Sequence, residues 1–111
     1  MNVYIYGLID PRDNTIFYVG QTYQPDQRMK NHISEAMTTP IRALGPKYRR
    51  VRDILTAGQP LRYVVLEVTD DESSVTREMF WIATLRSAGN GLVNKCRPGR
   101  PSGRHSVNQI L

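Results

Sequence analysis

Five side chains in this chain can do chemistry if the fold brings them together. Tyr6 and Tyr18 sit on two short apolar runs, VYIYGLI (3–9) and TIFYV (15–19), on either side of DPRDN. A phenol both donates and accepts hydrogen bonds. With an ordinary pKa of ~10, however, it is a poor base near neutrality unless a cation or a second proton acceptor helps it. Arg28 and His32 are four residues apart in QPDQRMKNHISEAM and share a helix face, which offers one phosphate a fixed cation and a titratable ring. Glu78 falls between Ile82 and Leu85 on the apolar stripe Val75, Met79, Ile82, Leu85. A carboxylate there is costly to bury alone, so a cation, a metal or a site opening is expected beside it. Taken singly, each residue also has a plain reading as a strand tyrosine, a helix-surface pair or a salt-bridged glutamate. Tyr23, Tyr48 and Tyr63 read as ordinary structural residues.

The elements that hold these groups follow from local patterns. The two β-branched and aromatic runs around a Pro-Asp-Asn turn predict a β-hairpin. Folded about Arg12 and Asp13, it sets Tyr6 near Val19 and Tyr18 near Gly7, and Gly20 ends the second strand. Pro25 and Asp26 suit the first turn of a helix over 25–37. Pro40 and Gly45-Pro46 punctuate the chain before a basic helix over 46–57, which stops at Gly58 and Pro60. LRYVVLEV (61–68) reads as a third, buried strand, and DDESS opens a last helix over 71–88. After Asn94 the composition shifts to KCRPGRPSGRHSVNQIL, an extended tail.

A chain of 111 residues makes one domain, and 40% hydrophobic residues are enough for a packed core. The net charge of +5 is unevenly spread. Arg42, Lys47, Arg49, Arg50 and Arg52 form one block without an acid, and Lys95 onward forms another. Charge alone fits a polyanion partner and a solvated basic face equally well. The single cysteine, Cys96, excludes an internal disulfide, and no Cys/His spacing suggests zinc. With neither a signal-peptide pattern nor an apolar run approaching the ~20 residues that span a bilayer, a soluble, cytoplasmic protein is expected.

The pattern as a whole resembles the GIY-YIG nuclease domain. YIY (4–6) stands for the first tripeptide, with Tyr4 in place of Gly, and YVG (18–20), followed by QT, stands for the second. Arg28, His32 in RMKNH, Glu78 in REMFWI and Asn94 in LVN follow in order. The resemblance implies an α/β fold over 1–95, with a small three-stranded, largely antiparallel sheet flanked by helices, and a basic tail over 96–111. It implies a metal-dependent DNA endonuclease in which Tyr6, with Tyr18 and His32, moves the proton of the attacking water. Arg28 would bind the phosphate, Glu78 would hold one Mg²⁺ (or Mn²⁺), and Asn94 would position a phosphate oxygen or brace the site. The products would carry 5′ phosphate and 3′ hydroxyl ends. DNA contacts are expected from Arg42, Lys47, Arg49, Arg50 and Arg52, and from the tail residues Arg97, Arg100 and Arg104. In the tail, Gly99-Arg100-Pro101 is similar to an AT-hook. Two other readings stay open: a nucleic-acid-binding protein of the same fold with weak catalysis, and an interaction domain for an acidic partner.

Overall fold

The structure is a computed structural model and describes residues 1–94, so the expectations for Cys96, Arg97, Arg100, Arg104 and the rest of the tail lie outside the described residues. The elements are β1 (Val3–Asp10), β2 (Thr15–Thr22), α1 (Pro25–Thr38), a 3-10 turn (Ile41–Ala43), α2 (Pro46–Thr56), β3 (Arg62–Thr69) and α3 (Ser74–Ser87). The sheet is antiparallel in the order β2-β1-β3, which makes β1 its centre. The second strand does not end at Gly20 as expected but runs on to Thr22. The third strand is also not buried as expected: Arg62, Val64, Val65 and Val68 are exposed. An edge strand is covered on fewer sides than a central one, and a run of β-branched residues does not distinguish the two.

The hairpin register holds the main surprise. Asp10 pairs with Thr15 and Ile9 with Ile16, as folding about Arg12 and Asp13 requires. Beyond them a bulge shifts the pairing by one residue, so Leu8 faces Tyr18, Gly7 faces Val19 and Tyr6 faces Gly20. Phe17 is the extra residue, without a cross-strand partner. Side chains alternate faces along a strand, so the simple register would set Tyr6 and Tyr18 on opposite faces of the sheet. The bulge sets them on the same one. Phe17 and Tyr18 accordingly both pack against the core under α1 and α2, which includes Tyr6, Leu8, Met29, Ala36, Val51 and Ile54. On the other face Ile5 and Val19 pack on Ile82 of α3, with Leu66, Trp81, Leu85 and Leu92 around them.

The turn is fixed by Asp10, which is 1% exposed. Its carbonyl accepts from Asn14 N–H at 2.7 Å, and Asn14 takes the left-handed φ of 61° that asparagine tolerates. The Asp10 carboxylate accepts from the Arg12 amide and side chain at 2.8–3.0 Å and from Arg50 Nε at 2.9 Å. Arg50 therefore fastens α2 to the hairpin, and it also lies over the Phe17 ring at 4.9 Å. Arg52 donates to the Ala36 and Thr39 carbonyls at 2.8 and 2.9 Å and so satisfies backbone acceptors at the end of α1. On β3, Tyr63 donates to Asp26 at 2.7 Å, while Glu67 accepts from Arg77 and Trp81 at 2.8–3.0 Å and orients α3.

The Arg12 hydrogen bonds hold the Asp10 carboxyl well below the usual carboxylate range. Because the folded pKa is depressed, this stabilisation is complete above pH ~4 and is lost as pH falls through the folded value. Asp10→Asn is expected to lower unfolding stability at pH 7 by about 2 kcal/mol and to flatten the acid limb of stability against pH. Denaturant unfolding from pH 7 to pH 2 checks this; parallel acid limbs in the two proteins would assign acid lability to other carboxylates.

Candidate active site

Tyr6, from the centre of β1, is 1% exposed and extends toward α1. Its Oη lies 2.7 Å from Nε2 of His32, which α1 presents one turn after Arg28. His32 is fully buried, and its other ring nitrogen, Nδ1, lies 3.1 Å from Tyr48 Oη on α2. Tyr18 closes the group: its ring centroid is 6.4 Å from that of Tyr6 and 6.2 Å from that of His32, the latter edge-on. Arg28, 8% exposed, lies close enough to the Tyr6 and Tyr48 phenols for its charge to favour their ionised forms. Arg28 and His32 do share a helix face as expected, with both side chains buried and the His32 ring enclosed by Tyr6, Tyr18 and Tyr48.

The proton affinities follow from this packing. Burial pushes the Tyr6 phenol above its ordinary value, with Arg28 opposing. Tyr18 is pushed well above by burial, to which Tyr6 and the negative charge of Glu78 add. Burial, aided by Lys47 and Arg28, drives His32 down to about 2, so the ring is neutral at physiological pH. Lys47 sits 4.4 Å from both the Tyr18 and the Tyr48 ring centroids, and burial beside Arg28 lowers it to about 8.

Glu78 lies on the buried face of α3 with Ser74 and Ile82 and is 3% exposed. Gln21 Nε2, on the extension of β2 past Gly20, donates to Glu78 Oε1 at 2.7 Å. Among the described residues no three His, Cys, Asp or Glu side chains cluster. A metal here would therefore rest on one carboxylate and on water. Mg²⁺ accepts such a ligand set because it keeps most of its hydration shell, and the donor set fits it. Asn94 acts as a brace: its Oδ1 accepts from Val19 N–H at 2.9 Å and its Nδ2 donates to the Val19 carbonyl at 2.7 Å. Val93 N–H donates to the Phe17 carbonyl at 2.8 Å, so residues 93 and 94 cover the outer edge of β2.

The site thus draws on both strands of the hairpin and all three helices, in an order along the chain that can be compared with known families. A family model described as the GIY-YIG catalytic domain matches residues 2–92. The chain belongs to the GIY-YIG family. Its members are nucleases that act on DNA, generally with divalent metals. No curated protein and no solved structure matches the chain.

Within this GIY-YIG domain the structure adds one residue that the sequence left aside, Tyr48, and gives Lys47 a setting that its charge did not suggest. Tyr48 reads as ordinary in isolation, and nothing local to Pro46-Lys47-Tyr48 signals that α2 would turn it toward His32. Lys47 belongs to a basic block by sequence but lies between two phenol rings in space. The other members of that block are held within the protein to different degrees. Arg50 and Arg52 make the contacts described above, Arg49 Nε donates to the Leu44 carbonyl at 3.0 Å, and Arg42 is exposed.

Gly20 gives the second tripeptide a physical reason. A Cβ there would meet Tyr6 Oη at 2.6 Å, Tyr6 Cζ at 2.7 Å and Tyr18 Cε2 at 3.0 Å, so only glycine lets the Tyr6 and Tyr18 phenols lie across the strand. Gly20→Ala is expected to cost about 1–3 kcal/mol, as overpacking does, and to push Tyr6 off His32. Thermal unfolding and the NMR shifts of the His32 ring check this; wild-type values for both would mean that the hairpin gives way without moving Tyr6.

Proposed function

We propose that this chain is a metal-dependent DNA endonuclease that hydrolyses a phosphodiester bond. The observation that carries the reading is the convergence of Tyr6, Tyr18, Arg28 and His32 on one face of the sheet, with the buried Glu78 near enough for its charge to raise both phenols. In this reading Tyr6 takes or relays the proton of the attacking water. Its own proton has a ready acceptor in the neutral His32, which compensates for a phenol too weakly acidic to be ionised in advance. Arg28, held beside Tyr6, binds a non-bridging oxygen and balances charge that grows in the transition state. Tyr18 walls the pocket and confines the water, while Asn94 keeps the strand that carries Tyr18 in place. Glu78 would hold the divalent cation, which supplies Lewis-acid stabilisation of the leaving 3′ oxygen. The products would be 5′ phosphate and 3′ hydroxyl ends.

DNA would approach over the start of α2. There Arg42, Arg49 and Arg52 line a surface cavity of about 310 Å³ together with Ile41, Leu44 and Asp53. Arg42 is the exposed cation of that set best suited to a backbone phosphate, whereas Arg50 and Arg52 serve the fold first. The tail arginines Arg97, Arg100 and Arg104, outside the described residues, would add further cations for DNA phosphates.

Cleavage of plain, branched and single-stranded DNA with and without Mg²⁺ or Mn²⁺ tests the activity. Wild type is expected to cut at least one of them in a cation-dependent way. Glu78→Gln, which keeps the shape but loses the charge, is expected to lose at least about 100-fold in single-turnover rate while still binding DNA. DNA binding without cleavage by wild type under every cation would favour the non-catalytic binding protein instead. Independently, Arg42→Ala is expected to leave unfolding unchanged and to reduce the slope of log binding constant against log salt by about one unit. An unaltered slope would take Arg42 out of the DNA interface.

A further inference from the structure

Lys47 is a cation held where the fold gains little from its charge. Its Nζ lies 4.4 Å from the ring centroids of both Tyr18 on β2 and Tyr48 on α2, and the side chain is half-buried. The two ring faces attract it, but they replace the water or carboxylate that an ammonium ordinarily has only in part. Among the described residues the Lys47 side chain makes no ion pair and no hydrogen bond. It also belongs to the first turn of α2, which holds no acid, so its charge opposes the helix dipole. Arg50 and Arg52, in the same helix, are tied to Asp10 and to the carbonyls of α1.

The groups around Lys47 raise the cost further. Arg28, His32 and Glu35 face it from α1, Tyr18 from β2 and Tyr48 from α2. Burial and the like charge of Arg28 both act against the ammonium and lower it to about 8, with Glu35 opposing. Two cations beside three phenols and a neutral imidazole leave room for an anion between them. A phosphate that meets Nζ lies against Tyr18, whose ring centroid is 6.4 Å from that of Tyr6. Two charge-assisted hydrogen bonds with the phosphate between them span about 8 Å, so one phosphate group reaches from Lys47 to the Tyr6 side of the site.

We propose that Lys47 is a further catalytic residue of the nuclease: its ammonium holds one non-bridging oxygen of the scissile phosphate while Arg28 holds the other; this rests on the endonuclease reading above. By charge count Lys47 is one more backbone contact of the basic block, like Arg42, but its position assigns it to the reacting group. As water adds to phosphorus, negative charge grows on both non-bridging oxygens, and a point charge on the second complements the guanidinium on the first. Lys47 neither gains nor loses a proton in that step, so it must be charged beforehand. Because it acts as a cation and its folded pKa is depressed, the free protein is competent below about pH 8 and loses this contribution as pH rises through that value.

The experiment has two arms. In the first, cleavage by the full chain is followed under single-turnover conditions with Mg²⁺. Lys47→Met keeps an unbranched stem between the rings and removes the charge. It is expected to lose about 100-fold in rate at saturating protein, with DNA affinity within about threefold of wild type. At sub-saturating protein the wild-type log rate is expected to fall with unit slope above about pH 8. Lys47→Arg, which keeps the charge and guards against loss through misfolding, is expected to stay within about tenfold of wild type at neutral pH and to show no such limb. In the second arm, ¹³C NMR of the lysine Cε atoms follows titration of the full chain without DNA or metal as inorganic phosphate is added. The Lys47 midpoint is expected to rise while that of the exposed Lys30 holds. Full rate in Lys47→Met, equal losses of rate and affinity, an alkaline limb that persists in Lys47→Arg, or a Lys47 midpoint indifferent to phosphate would each overturn the assignment and leave the nuclease reading intact. A wild type that cuts no DNA at all would overturn both.

Discussion

The β-bulge at Phe17 is the constraint on which the site depends. Without that one extra residue the hairpin would pair in its simple register, and the phenols of Tyr6 and Tyr18 would point to opposite faces of the sheet. With it, both face α1, Tyr6 lies across Gly20 and reaches His32, and Phe17 fills the core beneath Arg50. The bulge sits next to the turn, where Asp10 ties down the chain and Arg50 ties the turn to α2. The same interactions that close the hairpin thus fix the helix that carries Lys47 and Tyr48. A bulge beside a functional site is a common way of re-aiming a side chain, and here it re-aims a tyrosine.

Much of this was legible in the sequence, and the limits are instructive. The helices and strands were visible because their periodicity and punctuation are local: Pro25 and Pro46 begin helices where expected, and Gly58 follows one. Glu78 was visible because a carboxylate on an apolar stripe needs a reason. The bulge was not, since TIFYVGQT reads the same with or without it, and the register is decided by what packs against each face. For the same reason VVLEV could be read as a strand but not as an edge. The basic block shows the opposite failure. Charge in a sequence counts cations but says nothing of their partners, and Arg50 and Arg52 spend theirs on Asp10 and on the carbonyls of α1. Tyr48 was invisible because its significance lies wholly in facing a ring sixteen residues away.

The polar interior is fully satisfied: among the described residues no buried side-chain nitrogen or oxygen lacks a hydrogen-bond partner. For a site that holds Arg28, His32, Glu78, Gln21 and Asn94 below the surface this is a demanding condition, since each would be costly if left alone. It also means that these buried side chains hold one another in fixed orientations.

The brace formed by Asn94 bears on how the molecule comes into being. Its partner, Val19, precedes it by 75 residues, and Gln21 precedes Glu78 by 57. On a ribosome adding about 5–20 residues per second, the hairpin and its tyrosines would wait roughly 4–15 s for the residue that seals the edge of β2. During that interval a nascent chain would offer an open strand edge and an unfinished pocket, with its phenols formed early and its carboxylate and brace formed late. The edge of β2 and the Gln21–Glu78 pair would thus close only after almost all of the described residues had been made.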